Sequence, residues 1–315
     1  MVFERKFSNI AELKNEPLYK KLENDIHTNK ASEKVFPAIR KNEIHFYYKG
    51  GRLFKYSGRS FKTHLKYAFV CDDKETNRDV TTSVLKCIEV ADFTNGYKRI
   101  KERCALYNKG LESLFVSKLF QKYSYVTSSE NIVLLDIEAA LTTSERADMV
   151  LYDRNNQRIK FVEAKLFSNG ELRSSKQSET VPNEETTVKK ETAKSVIDQI
   201  ERYEDTITKN ENDIKKAYKN YIDIVNELFG LKIPNDKIKI SKKAGLIFFD
   251  FNGNDVNSKA VENKKKELSS PENKYKIDER NIYAVGDTND ASLGQLFLYD
   301  LQEEEKTNTL CPNLI

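Results

Sequence analysis

The sequence predicts an α/β protein, α+β in its finer organisation, with a mixed sheet flanked by helices and a β-rich region ahead of it. Three observations predict this. Helical spacing of apolar residues over 98–123, 191–207 and 211–229 alternates with short β-branched and aromatic runs at 131–141, 146–152, 159–165 and 245–249. The stretch EIHFYYKGGRLFKYSG (43–58) carries a separate hairpin signal near the N-terminus. Charged residues make up 32% of the 315 and hydrophobic ones 38%, which suits a polar surface over a sizeable core.

Composition narrows the function classes. The formal net charge is only +4, so any basic surface must be local. Cys71, Cys87, Cys104 and Cys311 lie far apart with no CxxC pair, which reads as free thiols in a reducing cytoplasm. No apolar run approaches the roughly 18 residues of a membrane span, and MVFERKFSNI lacks a signal-peptide core. His27, His45 and His64 have no ligand-like spacing, so no zinc site is expected.

In chain order, residues 1–95 form an N-terminal region. Residues 9–30 are helix-compatible; then Gly50-Gly51 reads as a two-residue turn that pairs Lys49 with Arg52. Lys55, Arg59, Lys62 and Lys66 follow, interleaved with aromatics. Such a pattern could hold nucleic acid or a partner, but a half-buried sheet with core aromatics is the favoured reading. A strand is expected around 84–90. Residues 96–255 form the core region. One helix is expected over 98–123, with Ala105, Glu112, Val116, Leu119 and Tyr123 on one stripe. Asn131–Leu141 follows as a strand, with Asp136 and Glu138 sharing a face; a rim or salt-bridge role is favoured over metal ligation for both.

The central stretch is RADMVLYDRNNQRIKFVEAK, 146–165, read as strand, turn, strand. If Asn155-Asn156 is a two-residue loop, Arg154 faces Gln157 and Asp148 lies across from Glu163, with Cβ atoms roughly 4.5–5.5 Å apart. Lys165, two residues on, shares that face. A three-residue loop would instead put Asp148 and Glu163 on opposite faces. Two carboxylates about 5 Å apart repel by roughly 3 kcal/mol at an effective dielectric of about 20. One lysine offsets part of this, and a divalent cation offsets more, oxygen ligands suiting Mg²⁺.

Residues 168–190 are Ser/Thr/Glu/Lys-rich and read as a mobile loop. The helix over 191–207 carries Val196, Ile200, Tyr203 and Ile207 as its apolar stripe, and Gln199 and Tyr203 lie four apart. A second helix, 211–229, stops at Gly230. Residues 238–251 give a strand strongest over 245–249, its continuous apolar run suiting an interior position. In the C-terminal extension, 256–315, Lys264-Lys265-Lys266 reads as a solvated face, and 281–285 and 295–299 as short segments extending the sheet.

The set Asp148…Glu163-Ala164-Lys165 resembles the D…(D/E)xK motif of the PD-(D/E)xK nuclease superfamily, with Ala147 where the proline is usually written. The order helix, strand, strand, strand, helix, strand over about 100–255 is similar to its restriction-endonuclease-like αβββαβ core. Gln199 and Tyr203 resemble the QxxxY helix of the RecB-like and Cas4-like branch. The resemblance implies a metal-dependent DNA endonuclease of restriction, repair or defence. Asp148, Glu163 and the Ala164 carbonyl would hold Mg²⁺, with Mn²⁺ as an alternative. Lys165 would orient the attacking water, Gln199 and Tyr203 would lie near metal and DNA, and Glu112 would reach the site from the preceding helix. The partner implied is DNA, with no membrane, and the chain leaves room for an oligomer or a partner protein. Two other readings stand: a non-cleaving binding protein on the same fold, and a structural domain in which the three charges form an ion-pair cluster. No GxSxG, Cys–His or GxxxxGK[ST] pattern competes.

Overall fold

The computed structural model describes residues 3–68, 87–88, 93–172, 195–251, 256–273 and 275–302. Its first elements are α1 (Ile10–Asn15), α2 (Pro17–His27), β1 (Phe36–Ile39), β2 (Ile44–Tyr48), β3 (Gly51–Tyr56), β4 (Phe61–His64), α3 (Leu65–Ala68) and β5 (Cys87–Ile88). Next come α4 (Phe93–Tyr107), α5 (Leu111–Tyr123), β6 (Ile132–Ala140), β7 (Arg146–Asp153) and β8 (Arg158–Leu166). The remainder are α6 (Val196–Lys209), α7 (Glu211–Phe229), β9 (Lys239–Ile240), β10 (Gly245–Phe249), α8 (Lys259–Leu268) and β11 (Ile282–Val285). The described residues are thus mixed α/β with two sheets, one of them mixed. No helix among the described residues is long and apolar enough to cross a membrane. The chain divides into two compact units, residues 1–159 with 211–240, and residues 160–210 with 241–315.

In the first unit, β1 to β5 form an antiparallel sheet in sequence order. The hairpin turn is one residue earlier than expected. Lys49 and Gly50 take positive φ (44° and 78°), Tyr48 pairs with Gly51, and Arg52 pairs with Tyr47 rather than Lys49. Packing explains the shift: a Cβ on Gly51 would stand 2.1 Å from Asn108 Nδ2 and 2.8 Å from Cys104 Sγ, so Gly51 is needed in the strand and Gly50 in the turn. Phe46, Phe54, Tyr56 and Phe61 are buried, as the core reading of these aromatics requires.

The single helix expected over 98–123 is two, α4 and α5. Asn108 donates its side-chain amide to Cys104 O (2.6 Å) and to Tyr67 Oη (2.7 Å), which ends α4, and Gly110 caps α5. β6 and β7 pair antiparallel with a bulge between Leu134 and Asp136. The turn Arg154–Gln157 joins β7 to β8, and Gln157 (φ 49°), not an asparagine, carries the left-handed conformation. Asp153 Oδ1 accepts from the backbone N–H groups of Asn155 (2.9 Å) and Asn156 (3.1 Å), while Arg154 donates to the carbonyls of Ser128, Glu130 and Tyr125. β8 begins in this unit, where Arg158 and Ile159 pair in parallel with β9. α7 ends, as expected, at Gly230 (φ 65°).

In the second unit, β8, β10 and β11 run parallel, with Glu163 beside Leu246, Lys165 beside Phe248, and Phe248 beside Ala284. All five residues of β10 are buried, which fits the interior strand expected there. Two expectations fail. Residues 238–251 are not one strand: Ser241–Ala244 separate β9 from β10. Leu293–Phe297 form a 3-10 turn, so 295–299 does not extend the sheet, although β11 does. Lys264 and Lys266 pair with Glu267 and Glu262 along α8, a solvated face. The expected strand at 84–90 is described only at β5, and the loop expected at 168–190 lies outside the described residues from 173 onward.

Candidate functional site

Within the second unit, strand alternation sets Glu163 and Lys165 on one face of β8, both buried, at 2% and 8% exposure. Ala164, between them, is fully buried. Ser195 caps α6 by accepting from Ile197 N (3.2 Å), and helical spacing then brings Gln199 and Tyr203 over the same carboxylate. Gln199 Nε2 donates to Glu163 Oε1 (2.9 Å) and to Tyr203 Oη (2.7 Å), and Tyr203 donates to Glu163 Oε2 (2.8 Å). Lys165 Nζ lies 2.9 Å from Glu163 Oε1 and 2.9 Å from Glu171 Oε2.

Four of the seven site residues expected from sequence are therefore joined by direct bonds. Burial pushes the Glu163 carboxyl above its ordinary value of 4.5; the Lys165 ammonium and the hydrogen bonds from Tyr203 and Gln199 pull the other way. A carboxylate held in this way favours added positive charge. Each carboxylate oxygen has two lone pairs. Among the described residues, Oε1 takes two hydrogen-bonding partners, Gln199 and Lys165, while Oε2 takes one, Tyr203. Among those residues Oε2 thus keeps acceptor capacity for a cation, and Mg²⁺ commonly binds through one or two carboxylates plus water. No group of three or more His, Cys, Asp and Glu side chains poised for a metal ion occurs among the described residues, so a cation here would need backbone and water oxygens as well.

Asp148 and Glu112 belong to the first unit. Asp148 is half-buried on β7. The pairs Ile137–Met149 and Ala139–Ala147 on either side put it level with Glu138, which has a positive φ of 49°. Glu112 is half-buried in the first turn of α5, where a carboxylate suits the helix dipole, and α5 packs against β6 and β7. Asp136 takes the salt-bridge role rather than a place at the rim. It is fully buried, with Arg40 Nη1 at 2.7 Å and Ile137 N at 2.8 Å on Oδ1, and with Arg5 at 3.5 Å and Tyr218 at 3.2 Å on Oδ2.

Sequence reasoning missed Glu171 and Glu204. Glu204, next to Tyr203, accepts from Ala244 N (3.2 Å), from Lys243 (2.7 Å) and from the Tyr275 hydroxyl. These bonds tie α6 to the entrance of β10 and so position Gln199 and Tyr203. The signal for Glu204 was a carboxylate beside the apolar stripe of a helix; Glu171 gave none. Comparison with family models, with curated proteins and with solved structures finds no match for this chain.

Proposed function

We propose that this chain is a Mg²⁺-dependent deoxyribonuclease of the PD-(D/E)xK type, with a restriction-endonuclease-like core over about 100–255. The observation that carries the reading is the grip of Gln199 and Tyr203 on Glu163 beside Lys165. The ExK triplet and the QxxxY pair were read from separate stretches of sequence, and their contact is what a common site demands. The register argument for Asp148 is compatible with the turn found. The turn found leaves five residues from Asp148 to the end of β7 and five from the start of β8 to Glu163, the spacing that the register argument uses.

In this reading Asp148, Glu163 and the Ala164 carbonyl would hold Mg²⁺. When bound, the ion would supply charge neutralisation at the scissile phosphate and a more acidic water. Lys165 orients that water for attack on phosphorus, and its ammonium faces the negative charge that grows as the P–O ester bond breaks. Gln199 and Tyr203 fix the Glu163 rotamer, and their bonds keep one carboxylate oxygen turned to the site. Glu112 is a further acidic group for it. DNA is the substrate class, and assembly with a second copy or a partner protein is compatible with this reading.

The alternative is a nuclease-like fold that grips nucleic acid without cutting. The Glu171–Lys165 ion pair favours it, since a lysine already held by two carboxylates is less free to serve water. Plasmid and single-stranded DNA incubated with Mg²⁺, with Mn²⁺ and with EDTA separate the two. Cleavage that needs metal and vanishes in Lys165→Ala supports the nuclease. Binding with no cleavage under either metal supports the alternative.

A further inference from the structure

The first unit carries a second cluster that the site above does not use. On β4, alternation sets Lys62 and His64 on the face away from the buried Phe61. Lys62 stands directly opposite Lys55 in the ladder, a like-charge pairing that destabilises a sheet unless an anion offsets it. Glu43 offsets Lys55 at 3.0 Å. Lys66 follows: its backbone N–H donates to His64 Nδ1 (3.3 Å), and its ammonium lies 5.9 Å from the ring centroid of Tyr107. Arg103, one turn before Tyr107 on α4, donates Nε–H to Lys66 O (3.3 Å) and sets its guanidinium 5.9 Å from the same ring. Among the described residues no carboxylate pairs with Lys62, Lys66 or Arg103. The crowding is felt at His64, whose pKa is lowered by burial and then by Lys66 and Arg52.

Tyr107 is 44% exposed and its neighbour Leu106 60%. Tyr107 thus leaves much of its ring in water with two cations each 5.9 Å from its centroid. That arrangement fits a ligand that brings both phosphates and a flat π-face.

We propose that Lys66, Arg103 and Tyr107 form a contact surface for a nucleic-acid strand, with an unpaired base stacked on Tyr107 and backbone phosphates on the two cations; Lys62 lies on the other face of the sheet and is outside it. The substrate class rests on the nuclease reading; the surface is separate from the residues proposed for cleavage. Because the strand is held by charge and stacking, the surface would show little sequence preference.

The test is fluorescence anisotropy of a labelled 12-nucleotide oligothymidine on the full chain in EDTA, over a salt series, with polyglutamate as competitor. Tyr107→Ala should weaken binding roughly tenfold with the salt slope unchanged, and Tyr107→Phe should bind like the parent. The double variant Lys66→Ala, Arg103→Ala should flatten the slope of log K against log salt by about 1.4, and Lys62→Ala, on the other face of the sheet, should leave it unchanged. Melting curves identify any variant that has lost its fold. Equal binding by parent, Tyr107→Ala and the folded double variant would overturn the proposal. So would no binding, or displacement of the oligonucleotide by polyglutamate at matched charge, which would mark the surface as one for an acidic protein. Metal is absent throughout and Glu163→Gln is run in parallel, so failed cleavage leaves these outcomes readable, and failed binding leaves the cleavage assay unaffected.

Discussion

Asp136 and Glu163 are both carboxylates buried in strands, yet their surroundings differ in kind. Asp136, in the first unit, meets two guanidinium groups, a tyrosine hydroxyl and a backbone N–H. Its negative charge is outnumbered and its oxygens are filled. Glu163, in the second unit, is held mainly by neutral donors, and its one cation is shared with the half-exposed Glu171. A saturated buried charge is a structural device. An undersaturated one, whose proton affinity is raised by burial, is where a further cation gains most.

Four substitutions sharpen or break this contrast. The largest effect is expected from Lys165→Ala, which should lower metal-dependent plasmid cleavage by about 10²–10⁴-fold with the melting transition kept; undiminished cleavage would remove the lysine from the chemistry. Next, Asp136→Asn strands Arg5 and Arg40 without their counter-charge and should cost about 3–5 kcal/mol of stability in urea titration. A cost below 1 kcal/mol would show the cluster to be less dependent on charge than its geometry indicates. Third, Tyr203→Phe removes one hydrogen bond to an ionised group, about 1.5–3 kcal/mol, and should slow cleavage about ten- to hundredfold with little change in fold.

The smallest effect has the opposite sign. Glu163→Gln keeps the shape, removes a buried charge and leaves Lys165 paired to Glu171, so stability at pH 7 should rise by about 1 kcal/mol even as cleavage is lost. The pH dependence follows from the raised carboxyl. A folded-state pKa above the ordinary 4.5 means the folded chain takes up the proton first, so the penalty is present at neutral pH and fades as pH falls toward 4.5. The stability gap between parent and Glu163→Gln should close over that range. A gap that widens on acidification would contradict the environment described for Glu163.

Local chemistry made much of this legible. Four-residue spacing was enough to set Gln199 and Tyr203 together, Gly230 to stop α7, and the apolar run of β10 to mark an interior strand. What escaped depends on contacts distant in sequence. The helix break at Asn108 is fixed by a bond to Tyr67, the turn at Lys49-Gly50 by the close approach of α4 to Gly51, and the burial and partners of Asp136, though not its salt-bridge role, by Arg5 and Arg40. A hydrophobic period contains none of these. Gln295–Tyr299 misled because a short apolar stretch suits a strand and a 3-10 turn equally.

The central claim is that Glu163, held by Gln199 and Tyr203, serves a divalent cation. Mn²⁺ titration of the full chain followed by electron paramagnetic resonance tests it most directly. One bound ion is predicted for the parent, with affinity reduced at least tenfold in Glu163→Gln and in Asp148→Asn and unchanged in Glu171→Gln. Equal Mn²⁺ binding by the parent, Glu163→Gln and Asp148→Asn would contradict the account.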